Sequence, residues 1–187
     1  MGLVHPAGGL EVFLLVWDLD QSLRRFAILR LVASVYIETT IISYLTAKPS
    51  RDLIVAAHQQ TTSEWWASVR QEVECFVSPF VIDEAARGDD EYARKRLEAI
   101  ADFSVLEVNK EIEALAQEYF AALDIPEKAK IDAFHLAVAA WHRMDYVLSW
   151  NCKHIASGRV QKMLQDTNAR LGVYTPIVCT PEELMEV

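Results

Sequence analysis

The sequence predicts an α/β fold, a single-domain α/β/α sandwich with a central, mainly parallel sheet. Short apolar runs rich in Val, Ile, Phe and Tyr alternate along the chain with stretches of helical periodicity. Such alternation is typical of parallel strands joined by right-handed helical crossovers. The length of 187 residues, 52% of them hydrophobic, is that of one domain with a substantial buried core.

The first half of the chain supplies the first two predicted strands. Residues 35–37 form one strand, and a helix begins at Thr39 and ends before Pro49. Apolar side chains recur at helical spacing over residues 51–70, and residues 75–77 form the second strand. The hydrophobic period therefore changes from that of a strand to that of a helix and back.

The second half continues this alternation. The most apolar helix is predicted for residues 127–143, after a boundary at Pro126. The other predicted elements are helices at 81–87, 90–101, 111–123 and 158–171 and strands at 105–108, 146–149 and 173–178. The last of these strands completes the predicted sheet.

The first 34 residues differ from the predicted domain at residues 35–187. The apolar run at 12–17 is short, is followed by Asp18 and Asp20, and has no basic stretch before it. It is therefore typical of neither a membrane span nor a signal peptide. We interpret residues 1–34 as an N-terminal extension, with three alternatives: a helix or hairpin packed on the domain, a loosely attached segment, or a functional arm.

Charge and cysteine content narrow the function classes. The formal net charge of −9 excludes a protein whose whole surface binds nucleic acid, because such binding depends on Lys and Arg. Cys75, Cys152 and Cys179 are odd in number and widely spaced, which favours reduced thiols and a cytoplasmic protein. A zinc centre is not expected, since Cys152 and His154 have no second pair at the required spacing.

Four polar side chains lie at the ends of apolar runs. Glu38 and Asn151 follow predicted strands, and Glu84 lies on the helix after another strand. Asp132 opens the most apolar helix. Ligands of parallel sheets bind outside the carboxyl ends of the strands, so these four residues are expected to meet at one edge of the sheet. Clustered carboxylates are typical of a site for a hard divalent cation.

Each of these residues also has a purely structural interpretation, as a helix-start acid or part of a solvated helix face. Their combination favours a shared site. Asp132 is the most informative, because the helix behind it is apolar on nearly all sides and a buried carboxylate needs a partner. We interpret His135, one turn later, as a hydrogen-bonded core histidine.

The segments that carry these residues are VYIETT at 35–40, SPFVIDE at 78–84, DAFHLAVA at 132–139 and LSWN at 148–151. Together they resemble the four motif regions of PIN-domain nucleases, particularly the VapC-type toxins of bacterial toxin–antitoxin pairs. The resemblance covers about residues 35–178. It implies a PIN-like α/β/α sandwich that hydrolyses RNA phosphodiester bonds with the help of a metal ion.

The same resemblance implies roles for the four candidate catalytic residues. Glu38, Glu84 and Asp132 are expected to hold Mg²⁺ or Mn²⁺, with Glu84 either a ligand or a base that orients water. Asn151 is expected to hold a water molecule or the substrate. The expected partners are an RNA substrate, a cognate antitoxin and a second copy of the chain in a homodimer. Binding to a membrane is not expected.

Three hydroxyl residues lie beside the candidate site, namely Thr39, Thr40 and Ser149. They either orient the metal ligands by hydrogen bonding or cap the local backbone. The sequence alone leaves both alternatives open.

Two positions depart from the usual PIN pattern. Glu38 stands where most members have Asp, and Asn151 stands where an acid is common. The longer arm must still meet the octahedral geometry of Mg²⁺, and the amide brings no charge. A PIN-like module that binds protein or RNA with weak or no catalysis is therefore the rival hypothesis. A flavodoxin-like ligand binder is a third, and it predicts no metal at the acids.

Basic residues are concentrated near the candidate site, where they favour contacts with RNA phosphates or simply form solvated helix faces. They are Arg87, Arg94, Lys95, Arg96, Arg143, Lys153, Arg159, Lys162 and Arg170.

Overall fold

The structure, a computed structural model, describes residues 32–123 and 126–185, where five strands form one sheet. The strands are β1 (Ser34–Ile37), β2 (Glu74–Val77), β3 (Ser104–Val105), β4 (Tyr146–Leu148) and β5 (Ile177–Cys179). Their order in the sheet is β3-β2-β1-β4-β5, and all neighbours are parallel. The extension predicted for residues 1–34 lies, up to residue 31, outside the described residues.

Helices connect the strands and flank the sheet. They are α1 (Thr39–Thr46), α2 (Leu53–Ser68), α3 (Pro79–Ala85), α4 (Asp90–Ala99), α5 (Lys110–Leu123), α6 (Lys130–Trp141), α7 (Gly158–Leu171) and α8 (Pro181–Met185). Short 3₁₀ turns lie at Arg70–Glu72 and Glu127–Ala129. Helix α1 packs on α2, α3 and α4, whereas α5 packs on α6 and α7. The predicted α/β/α fold with a parallel sheet is thus confirmed.

Three strands are shorter than predicted. Strand β4 ends one residue early, at Leu148, and the backbone explains the two larger differences. Strand β5 was expected from residue 173 but begins at Ile177. Pro176 has no N–H to donate, the Val173 N–H bonds back to Asn168 O, and the Ile177 N–H donates to Asp145 O, next to β4, at 2.9 Å. Strand β3 was expected to reach residue 108. It ends at Val105, because its partner β2 ends opposite at Val77.

The core is centred on β1 and α6. Val35, Tyr36 and Ile37 in the central strand are all completely buried. Helix α6 is buried on nearly every side, with its alanines allowing close approach of neighbouring elements. The burial predicted for this helix is therefore present, and it carries Asp132 and His135 into the interior. Cys75, Cys152 and Cys179 are free thiols.

Candidate metal centre

The carboxyl ends of three adjacent parallel strands form the edge on which the candidate site lies. Glu38 directly follows β1, Ser149 directly follows β4, and Ser78 lies between β2 and α3. The chain leaves the central strand β1 towards β2 on one side and reaches β4 on the other, so this edge contains the topological switch point of the sheet. Open parallel sheets bind their ligands at such a point.

Glu38 is held at this edge by two hydroxyl groups. Its side chain is almost fully buried, and Oε2 accepts hydrogen bonds from Thr40 Oγ1 at 2.5 Å and Ser149 Oγ at 2.7 Å. The Thr40 hydroxyl is itself fixed, since it accepts a bond from the Trp150 N–H at 2.9 Å. Within the described residues Oε1 accepts no hydrogen bond. The methylene that lengthens Glu38 relative to Asp is therefore held in one place, with one oxygen left for a ligand.

Glu84 is held in the same way from two other elements. Its Oε2 accepts a hydrogen bond from Thr39 Oγ1 at 2.6 Å and lies 3.0 Å from His135 Nε2. Again Oε1 accepts no hydrogen bond in residues 32–123 and 126–185. Burial alone would raise the pKa of this carboxyl, but His135, Thr39 and Arg87 hold it below its ordinary value. Glu84 is therefore ionised at neutral pH.

His135 is completely buried and both of its ring nitrogens are bonded. Nε2 meets Glu84, and Nδ1 lies 2.7 Å from the hydroxyl of Tyr36, which lies 2.7 Å from Ser78 Oγ. Burial opposes the imidazolium, yet the bond to Glu84 and the charges of the nearby carboxylates raise the His135 pKa above its ordinary value. The interpretation of His135 as a hydrogen-bonded core histidine agrees with this geometry.

Asp132 completes the group of acids. Its side chain is buried, and burial raises its pKa to about 6 against the attraction of His135, with further increases from the charges of Glu38 and Glu84. The Asn151 amide acts in the opposite direction and favours the charged form of Asp132. Glu38, Glu84 and Asn151 thus all act on the ionisation of Asp132.

The donor set fits a divalent cation. Ligand atoms of Glu38, Glu84 and His135 lie within 4.8 Å of one another. Asp132 lies outside this group, and the charges of Glu38, Glu84 and His135 act on its pKa. Both nitrogens of His135 are already bonded, so the carboxylates of Glu38 and Glu84 are the members of this group that could hold a metal ion. Hard cations such as Mg²⁺ prefer carboxylate oxygens. A bound cation would offset the free-energy cost of ionising three carboxylates that have little access to water.

The hydrogen bonds of the Thr39 and Thr40 hydroxyls bear on the two roles expected for them, orienting metal ligands or capping the backbone. Glu38 is the N-cap of α1 and makes no side-chain cap bond, and the Thr40 hydroxyl accepts the backbone N–H of Trp150. Both hydroxyls also donate to carboxylates of the site. Ser149 does both, because it donates to Glu38 and accepts the N–H of Asn151 at 2.9 Å.

Sequence reasoning missed Tyr36 and Ser78. Tyr36 lies in the middle of a strand pattern and was indistinguishable from a packing residue. Its partners Ser78 and His135 lie 42 and 99 residues away along the chain, and no local pattern encodes such contacts. A buried tyrosine in a strand that ends in an acid was the only available signal.

Several of the basic residues form hydrogen bonds or ion pairs with other residues of the protein. Arg96 donates to the carbonyl oxygens of Ala85, at 2.8 Å, and Arg87, at the end of α3. Surface ion pairs join Arg94 to Glu98, Lys95 to Glu91, Lys162 to Asp166 and Arg170 to Glu118. In the described part of the chain, the exposed side chains of Arg87, Lys153 and Arg159 form no ion pair.

Comparison with known families identifies the fold. The family model described as PIN domain matches residues 35–151, which run from β1 to the last of the four clustered residues. The chain belongs to the PIN domain family. A comparison with curated proteins finds no match. The PIN fold is a nuclease-type fold, and PIN domains are generally metal-dependent nucleases, in agreement with the group of carboxylates found here.

Among the described residues, no helix is both long and apolar enough to cross a membrane.

Proposed function

We propose that this PIN domain is a metal-dependent endoribonuclease and the toxin of a type II toxin–antitoxin pair. One observation carries the nuclease proposal. Glu38 and Glu84, whose ligand atoms lie within 4.8 Å of each other, each have Oε2 held by two donors while Oε1 accepts no bond in the described ranges. Carboxylates fixed in this way are prepared to bind a cation without further ordering.

Glu38, Glu84 and Asp132 are the residues that would hold Mg²⁺ or Mn²⁺. Such an ion supplies Lewis-acid polarisation of a phosphoryl oxygen and lowers the pKa of a nearby water. Glu84, which stays ionised, offers its Oε1 either to the cation or to a water molecule that it orients. Asn151 offers an amide that orients water or substrate beside Asp132 without adding charge.

RNA is the substrate class we propose, and its phosphates need cationic side chains near the acids. Arg87 is close enough to Glu84 to lower its pKa, and Lys153 and Arg159 follow Asn151 within the next turns of chain. These exposed cations, free of ion pairs in the described ranges, are the candidates for phosphate contacts. Single-stranded loops, whose bases are accessible, are the preferred target class.

The toxin role requires a protein partner, and one surface feature supports it. Leu53 and Ile54 at the start of α2 are 86% and 69% exposed. Adjacent exposed apolar side chains of this size are typical of protein-binding surfaces. We propose a cognate antitoxin as a partner and a homodimer as the toxin assembly. Light scattering of the purified chain, alone and coexpressed with the product of an adjacent small gene, tests both.

The experiment that tests the nuclease proposal compares RNA cleavage by the wild type and Asp132→Asn. We expect cleavage with Mg²⁺ or Mn²⁺, none with a chelator, and a loss of at least about a hundredfold in the variant. Asp83→Asn removes the same charge from an exposed neighbour of Glu84 and should leave the rate unchanged. Equal or absent activity in wild type and Asp132→Asn would contradict the proposal and favour a PIN-like binding module.

A further inference from the structure

A buried chain of hydrogen bonds connects the core to Glu84. It runs from Ser78 Oγ to the Tyr36 hydroxyl, from there to His135 Nδ1, and from His135 Nε2 to Glu84 Oε2. Ser78, Tyr36 and His135 are each completely buried. They come from the start of α3, from β1 and from α6, so three separate elements converge on one carboxylate oxygen.

The chemistry of these groups fixes the direction of the last bond. An ionised carboxylate only accepts hydrogen bonds, so His135 Nε2 must carry the hydrogen that points at Glu84. On the other side of the ring, the hydroxyls of Tyr36 and Ser78 can each donate or accept. They therefore satisfy Nδ1 whether or not it carries a hydrogen. No arrangement of this chain leaves Nε2 without its hydrogen.

We propose that Tyr36 and His135, backed by Ser78, are positioning residues that hold Glu84 for the divalent cation. The inference rests on the proposed metal-dependent function and adds residues to it. His135 and Thr39 occupy Oε2 together, so the side chain of Glu84 presents Oε1 in one orientation. Without His135, the flexible and partly exposed Glu84 side chain would have to be ordered when the cation binds.

The chain of bonds has a matched control elsewhere in the core. Tyr119 is also completely buried and also donates its hydroxyl to one side chain, that of Asn168. That pair joins α5 to α7, and within the described residues neither side chain forms a hydrogen bond with the acids of the site. Removal of either tyrosine hydroxyl leaves a buried partner unsatisfied. Only removal of the Tyr36 hydroxyl should affect the cation.

The test compares Tyr36→Phe with Tyr119→Phe in Mn²⁺ binding to the metal-free protein, measured by electron paramagnetic resonance. Both variants should lose thermal stability. We expect Mn²⁺ affinity to fall about tenfold or more in Tyr36→Phe, as is usual for partners of metal ligands, and to stay at the wild-type value in Tyr119→Phe. RNA cleavage should fall in parallel in Tyr36→Phe alone.

Substitutions at His135 and an NMR measurement provide further readouts. His135→Gln keeps an N–H that can reach Glu84 and should recover part of the Mn²⁺ affinity lost in His135→Leu. Nitrogen chemical shifts of the metal-free wild type should show His135 with hydrogen on Nε2.

Three results would overturn the inference while leaving the nuclease proposal intact: wild-type Mn²⁺ affinity and cleavage in Tyr36→Phe, equal losses in Tyr36→Phe and Tyr119→Phe, or a His135 without hydrogen on Nε2. A wild-type protein that neither binds Mn²⁺ nor cleaves RNA would overturn the proposed function itself, and the inference with it.

Discussion

At the residue scale, Asp132 shows that ionising a buried acid near other acids is unfavourable in the metal-free protein. Its carboxyl is buried, the charges of Glu38 and Glu84 oppose its ionisation, and His135 and the Asn151 amide favour its charged form. Burial is the largest influence, and the net result is a pKa raised from 3.8 to about 6. The folded, metal-free protein therefore holds the Asp132 proton more tightly than the unfolded chain does.

The higher pKa of Asp132 in the folded state predicts that Asp132→Asn stabilises the metal-free protein. Between about pH 4 and pH 6 the folded state binds a proton that the unfolded state has lost, so wild-type stability should fall as pH rises through this range and stay lower above it. At pH 7.5 the variant should gain about 1–2 kcal/mol, a value reduced for screening by water. Thermal melts with a chelator at pH 4.5 and pH 7.5 measure the difference.

Asp83→Asn is the control for this comparison, because Asp83 is exposed and close in sequence to Glu84. Its melts should follow those of the wild type at both pH values. A metal-free Asp132→Asn protein that is less stable than the wild type at pH 7.5 would show that Asp132 is satisfied without a cation.

At the element scale, the C-terminal end of the short helix α3 is stabilised by hydrogen bonds from its neighbour α4. Arg96 on α4 donates to the carbonyl oxygens of Ala85 and Arg87, which follow Glu84 on the chain. Carbonyl oxygens at a helix end have no hydrogen-bond donor within the helix. An arginine in this position supplies donors to those oxygens. The guanidinium thus stabilises the helix that carries Glu84.

We expect Arg96→Ala to lower the free energy of unfolding by about 1 kcal/mol, because one partly buried and one exposed carbonyl oxygen lose their donor. Arg94→Ala, on the same helix, removes only an exposed ion pair with Glu98 and should change stability by less than about 0.5 kcal/mol. Urea denaturation measures both. Equal effects of the two substitutions would exclude a specific role for Arg96 at the end of α3.

The sequence was sufficient for the elements but not for their ends or their long-range contacts. Hydrophobic periodicity located the strands and helices, and strand–helix alternation predicted the parallel sheet. It could not show that β3 stops where β2 stops, because pairing is a property of two segments. For the same reason Glu38 could be identified as an acid at a strand end and Glu84 as an acid on the following helix, whereas the Tyr36–His135 bond, spanning 99 residues, could not be identified.

At the scale of the whole molecule, net charge limits how RNA can bind. A chain with a formal charge of −9 repels a polyanion over most of its surface. Four of the nine basic residues noted near the site form surface ion pairs, and Arg96 bonds to the backbone of α3. Few cations are left for phosphates, which predicts weak binding and a small dependence on salt.

RNA binding by the Asp132→Asn protein should therefore show a shallow salt dependence. If Arg87, Lys153 and Arg159 each meet one phosphate, the slope of log affinity against log salt should be about −2 for single-stranded RNA. Replacement of both Lys153 and Arg159 by Ala should reduce the slope to about −0.7. Fluorescence anisotropy with a labelled oligonucleotide measures these slopes.

Lys162→Ala is the control for the salt series, since Lys162 is already paired with Asp166. It should leave the slope as it is. A slope that depends on Lys162 as strongly as on Lys153 and Arg159 would mean that RNA follows another surface.

The most direct test of a cation site made by Glu38, Glu84 and Asp132 is an anomalous-difference map from crystals soaked in Mn²⁺. We predict a peak within ligand distance, about 2.0–2.4 Å, of carboxylate oxygens from these three residues. The peak should persist in Asp83→Asn and vanish in Asp132→Asn. A map with no peak among the three carboxylates, or with Mn²⁺ bound only elsewhere, would contradict the account.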